Sequence, residues 1–247
     1  MSQGQPLAAT RPSWRFVVLL IAIGLVSVAS MLLGSIEALL PEGLAIPPAL
    51  LLVQPAILVI GLALAGWWAA PKIGLGAPVL AGLADGGDWA GALRRALPAA
   101  LAGGVLGAAI LLAYAYLTAG ALGERAQAVE LPIVTRVLYG GVVEEIMMRW
   151  GLLSLLALAA LKLGLARPGA LWAGNLAAAL VFALGHLPAL FALIPDPSAG
   201  LLAAVLLANT GAGLVFGWLY MHRGLEAAII AHALTHLIAV PLASLLL

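Results

Sequence analysis

From residue 16 onward the chain repeats one pattern, a long apolar run followed by a short joint carrying charge, glycine or proline. The runs fall at 16–36, 49–69, 98–118, 132–161, 169–192, 201–221 and 225–246. About 20 apolar residues cross a bilayer as helix, so the pattern predicts seven spans and an all-α, polytopic transmembrane helix bundle. The first run exceeds the roughly 7 to 15 residues of a secretory h-region and reads as a retained span. The fourth, 132–161, would extend about 45 Å as one α-helix, and is expected to tilt, protrude or break. In the joint near 70–97, Trp89, Leu93 and Leu97 recur every four residues among Asp85, Asp88, Arg94 and Arg95. That spacing suits an amphipathic helix lying in the interface, and equally a solvated loop leading into the third span.

Composition makes lipid the solvent. Of 247 residues 64% are hydrophobic and 9% charged, against about 25% charged in soluble domains, and the mean hydropathy is +1.16. One membrane domain is expected, with no soluble domain appended and membrane lipid as its first partner. A net charge of +1 gives no reason to expect nucleic acid. The absence of cysteine excludes disulfides, thiolate metal ligands and a cysteine nucleophile.

Charge also orients the bundle. With the N-terminus inside, the inner joints collect Arg11, Arg15, Lys72, Arg94, Arg95, Lys162, Arg167 and Arg223, and the outer joints only Arg125. The positive-inside rule then puts the N-terminus in the cytoplasm and the C-terminus outside. Glu37, Glu42, Glu124, Glu130 and Asp196 fall on the outer side. A compact chain without targeting elements suggests a bacterial plasma membrane.

Within the spans stand Arg136, Glu144, Glu145, Arg149, His186, His232 and His236. A charge at mid-depth costs roughly 2.5 to 3.5 kcal/mol on insertion scales, which makes such residues functional candidates. All but Arg136 fall into three motifs. In Glu144-Glu145-Ile146-Met147-Met148-Arg149, Glu145 and Arg149 are four apart and can pair. Glu144 points about 100° away, on the face of Gly140 and Gly141, where a neighbouring helix can approach closely. Glu145 thus has a structural role at hand, and Glu144 is nominated as the working carboxylate. In the second motif Phe182 and His186 share a face, and Pro188 frees the carbonyl of Leu184 and loosens the helix beside the histidine. The third, His232-Ala233-Leu234-Thr235-His236, sets two imidazoles on one face at the spacing of a helical zinc site. His222, beside Arg223 at a helix end, reads as a surface residue.

In this order, on three separate spans, the motifs resemble the CAAX protease and bacteriocin-processing family, glutamic intramembrane proteases of the Ras-converting endopeptidase type. The resemblance runs from Val134 to the end and includes the stretch from Gly213 to Tyr220; residues 1–130 carry spans but no motif, and 131–247 read as the catalytic core. It implies an endopeptidase acting on a membrane-associated protein or peptide, with its site between spans four, five and seven and no cofactor. By position, Glu144 with His186 would activate a water, and His232 with His236 would stabilise the oxyanion. Glu145, Arg149 and Phe182 would support the site. The sequence departs from the pattern at His236, where Asn or Asp is usual, at Met148, where an aromatic is common, and at Trp150, which intervenes before Gly151.

Two other classes fit parts of the pattern. A zinc-dependent intramembrane protease would use His186, His232 and His236 as ligands and Glu144 to activate the bound water, three ligands plus water being the usual catalytic arrangement. An immunity, scaffold or transport protein of the same fold would need no chemistry. Depth counting sets His186 about 25 Å and His232 about 10 Å from the inner boundary, far apart for one site. The departure at position 236 supplies a test. As an oxyanion donor His236 is replaceable by Asn, so the His236→Asn protein should keep substantial proteolysis and ignore chelators. Stoichiometric zinc by elemental analysis, lost together with activity in that variant, would favour the zinc reading.

Overall fold

The computed structural model describes residues 12–35, 46–122 and 131–246, and among these it contains helices and no strands. Six helices are long and apolar enough to cross a membrane: Trp14–Leu33, Pro48–Ile73, Trp89–Leu122, Arg167–Leu193, Ala199–Arg223 and Leu225–Leu246. They correspond to the expected spans one, two, three, five, six and seven. The chain is a helical membrane protein.

Of the three outcomes expected of its length, the fourth span does not take the break. It runs continuously over 133–162, but winds as π-helix at Arg136–Glu144 and again at Ile146–Leu153 before ending as α-helix at Ser154–Lys162. A π-helix bonds i to i+5 and marks functional sites more often than ordinary packing. Its wider winding rises less per residue, which shortens a segment that looks too long as α-helix.

The joint before the third span is also resolved. Trp89, Leu93 and Leu97 belong to neither a separate interfacial helix nor a loop, because they form the first turns of the third span itself. Asp88 Oδ1 accepts from Gly91 N at 2.8 Å at the start of that helix, and the exposed Arg95 lies 3.6 Å from Asp88 Oδ2. The two arginines are carried at the helix end, where long side chains reach the interface. Ahead of it a short helix, Pro78–Asp85, presents the backbone N–H of Leu80 to Glu226 Oε1 at 2.7 Å.

These contacts gather the basic joints on one face. Arg167 donates to Ile73 O at 2.9 Å, joining the end of span two to the start of span five. Lys72 and Lys162 both lie over the Trp68 ring, at 3.4 and 5.5 Å. Leu225 N donates to Gly76 O at 3.1 Å, and Ser13 N to Asp85 Oδ2 at 3.3 Å. Arg11, Glu37, Glu42, Glu124, Arg125 and Glu130 lie outside the described residues.

Trp150 is the packing hub. Its fully buried indole donates to Ala63 O of span two at 3.0 Å and packs 5.2 Å from the Phe16 ring of span one. On its other side stands Tyr220 of span six, ring centroids 6.4 Å apart, whose hydroxyl bonds Ser154 at 2.8 Å. The residue that departs from the family pattern thus ties spans one, two and six to span four. Gly66 admits it, since a Cβ there would collide with the indole and the carbonyl of Trp150. Overpacking of this kind costs about 1–3 kcal/mol. Gly66→Ala should therefore lower the thermal midpoint in detergent by several degrees, whereas Gly61→Ala, whose added methyl meets nothing within 4 Å, should leave it in place; equal midpoints would contradict the packing described.

Candidate active site

The adjacent carboxylates of span four meet the same imidazole of span seven. Glu145 is fully buried, and its Oε1 lies 3.0 Å from Arg149 Nη1, an ion pair whose angle falls short of a hydrogen bond. The same oxygen accepts from His232 Nδ1 at 2.8 Å. On the other side of the ring, His232 Nε2 lies 3.8 Å from Glu144 Oε2, beyond hydrogen-bond range. The roughly 100° between Glu144 and Glu145 therefore does not give them separate surroundings; it sends them to the two nitrogens of one ring. The pairing of Glu145 with Arg149 is as the four-residue spacing indicates, and Glu144 keeps a partly exposed side chain.

Arg149 is held from further directions. Its Nη2 donates to Gly213 O at 3.0 Å, and its guanidinium lies 5.0 Å from the Phe182 ring and 5.5 Å from the Phe216 ring. Phe216 stacks on His232 at 4.6 Å. Span six therefore supplies a carbonyl and a ring to a site expected between spans four, five and seven. The quoted stretch from Gly213 to Tyr220 was the signal, but an apolar ring and a backbone carbonyl carry no chemistry that a sequence reveals.

Close helix contact makes the meeting possible. A Cβ on Gly140 would stand 2.8 Å from His236 Nε2 and 3.4 Å from His232 Nε2, and one on Gly141 would stand 3.0 Å from the Ala233 Cβ. The expected approach at these glycines is thus made by span seven. Behind it, Thr235 donates to Ala231 O at 3.0 Å and lies 3.3 Å from Gly104 O of span three.

His186 reaches the group through a helix break. The helix Arg167–Leu184 ends there and Leu187–Leu193 begins with Pro188 in its first turn. His186 N turns to Ala183 O at 3.1 Å, and the ring Nδ1 donates to Phe182 O at 2.8 Å. A carbonyl only accepts, so the proton is on Nδ1 and Nε2 carries a lone pair. The Phe182 ring lies 4.7 Å from His186 and 6.2 Å from His232. Phe182 thus stands between the two imidazoles that depth counting set far apart. His236 stacks on His232 at 5.1 Å, and its Nδ1 is buried without a hydrogen-bond partner. His222 is exposed and bonds Trp218 O at 2.8 Å, outside this group.

Residues 127–238 match the model of a family described as Type II CAAX prenyl endopeptidase Rce1-like. Over those residues, a little under half of its length, the chain is similar to that family. No curated protein and no solved structure matches the chain. The Rce1-like stretch contains Glu144, His186, His232 and His236, and a match to a family of endopeptidases implies a protease. Among the described residues no three His, Cys, Asp or Glu form a group that could hold a metal ion. His232, moreover, has one nitrogen committed to Glu145 and the other turned to Glu144.

Removing one partner of a buried ion pair costs about 3–5 kcal/mol. Glu145→Gln should accordingly lower the thermal midpoint well below that of the parent. Glu144→Gln, at a partly exposed position 3.8 Å from its nearest charged partner, should shift it little, and the reverse order of the two midpoints would contradict this assignment.

Proposed function

We propose that the chain is an intramembrane endopeptidase that hydrolyses a peptide bond of a membrane-associated protein or peptide with a water activated by Glu144 and His186, without a metal ion. The observation that carries this reading is the bracketing of His232 between Glu144 and the Glu145–Arg149 pair, inside a stretch that is Rce1-like. Two carboxylates and one guanidinium leave the buried group one positive charge short. One further proton, shared between Glu144 and His232, balances it, and a low-dielectric site strongly favours that balance.

With that proton on His232, Glu144 is a carboxylate free to act as general base and His232 Nε2–H is a donor. Water held by Glu144 and the His186 Nε2 lone pair loses a proton to Glu144 as its oxygen attacks the scissile carbonyl carbon. The oxyanion that forms is met by His232 and His236, in a site where fixed donors count most. Collapse breaks the C–N bond and returns the proton from Glu144 to the leaving amine. Glu145 acts through His232 by fixing its Nδ1, the usual second-partner role for a working imidazole. Residues 131–247 form the catalytic core in this scheme, spans one to three brace it, and the face of basic joints is cytoplasmic, in keeping with the positive-inside rule.

General acid–base catalysis by one group contributes about 10² to 10⁴ in rate. Glu144→Gln should lose at least that factor in turnover of a lipidated peptide in proteoliposomes while keeping its elution profile and thermal midpoint. Parent-like turnover in that variant would reject Glu144 as the base, and no turnover by the parent itself would favour a scaffold or transport role.

A further inference from the structure

On the face of basic joints, three cations from three chain segments gather around one indole. Span two closes with a tighter turn, Ala70–Ile73, and Lys72 of that turn lays its Nζ 3.4 Å from the centroid of the Trp68 ring. Lys162, the last residue of the α-helical end of span four, reaches the same ring at 5.5 Å. Arg167, the first residue of span five, donates its Nε to Ile73 O at 2.9 Å and its Nη2 to Gly74 O at 3.4 Å. A cation is drawn to the face of an indole, but one ring does not neutralise two of them. Their distances to a single centroid put the ammonium groups within about 9 Å of each other, close to the Debye length at physiological salt, so they repel. Among the described residues no carboxylate pairs with Lys162 or Arg167. A guanidinium carries five N–H donors, and the two backbone carbonyls leave Arg167 with donors to spare.

The surroundings suit a lipid rather than a free solute. Trp68 is exposed, and Leu64 lies exposed one turn further into span two on the same face. The turn joining spans four and five presents Leu163 and Leu165, 83% and 43% exposed, between the two cations Lys162 and Arg167. Apolar side chains beside charged ones mark the depth at which acyl chains meet phosphates. Basic pockets between spans hold anionic headgroups there, guanidinium by paired hydrogen bonds to phosphate oxygens and ammonium as a point charge.

We propose that Lys72, Lys162 and Arg167 form a binding site for the phosphate of an anionic phospholipid, with Trp68 holding the ammonium groups and Leu64, Leu163 and Leu165 lying against the acyl chains. The bound lipid ties together the ends of spans two, four and five, the last two of which carry Glu144 and His186. Neither the cluster nor its ligand depends on the endopeptidase reading, and no readout below involves turnover.

The full chain is placed in phosphatidylcholine nanodiscs containing increasing phosphatidylglycerol, and the thermal midpoint and the lipids retained in native mass spectrometry are measured. The parent midpoint should rise and level off at a low fraction of phosphatidylglycerol, with that lipid retained in preference to phosphatidylcholine. Lys162 is exposed at a helix end, so Lys162→Gln leaves the fold in place. It should raise the half-saturating fraction about fivefold, the worth of one basic side chain beside an anionic surface. Adding Arg167→Gln should bring the shift to about thirtyfold, and Lys162→Arg should behave as the parent. The Arg94→Gln/Arg95→Gln protein loses as much charge from the same face and should keep the parent's half-saturating fraction. A parent without saturable preference for phosphatidylglycerol overturns the proposal, as does an unmoved half-saturating fraction in Lys162→Gln. An equal shift in the Arg94→Gln/Arg95→Gln protein assigns the effect to diffuse surface charge and overturns it too. The same rise in midpoint from inorganic phosphate added to phosphatidylcholine nanodiscs alone removes the lipid as the occupant.

Discussion

Two adjacent carboxylates cannot be kept inside a bilayer without partners, and meeting that demand organises the core of this protein. Glu145 takes Arg149 from its own helix and His232 from span seven. Arg149 in turn takes the Gly213 carbonyl and the faces of Phe182 and Phe216. Spans four, five, six and seven are thereby drawn to one buried charge. In water such a pair is worth little, because solvent competes for every contact. Away from water each missing partner leaves an uncompensated charge, so the pair holds the helices in one arrangement.

The same constraint shapes the backbone. Imidazoles on span seven can reach span four only where span four has no side chain in the way, and Gly140 and Gly141 provide that gap. The π winding of Arg136–Glu144 and Ile146–Leu153 changes which residues share a face. Glu145, between the two π stretches, bonds one nitrogen of His232, and Glu144 faces the other. On the far side of the bundle Trp150 plays the corresponding apolar part, filling the space that Gly66 leaves between spans two and four.

The protein also shows how a membrane site is kept both charged and open. His232 and Glu145 are shut in, while Glu144 and His186 keep partial exposure. Groups that hold the geometry are removed from solvent, and the two assigned to the water are not.

Apolar runs of span length, a basic bias on alternate joints and three spaced motifs were all legible in the sequence, because each depends on local composition or on residues within one helical turn. The pairing of Glu145 with Arg149, the shared face of Phe182 and His186, and the loosening at Pro188 belong to that class. The register of span four was not legible, since an α-helical wheel cannot anticipate π winding imposed by packing on both sides. Nor was the first turn of span three, where Arg94 and Arg95 masked a helix that runs on from Trp89 to Leu122. Sequence alone determined that the chain is a bundle of apolar helices of membrane-crossing length, six of which the structure shows among the described residues, and which side chains could do chemistry inside it. That Glu145 bonds one nitrogen of His232 while Glu144 faces the other, and that Phe216 stacks on the ring, were decided by tertiary structure alone, because each depends on how separate helices close on one another.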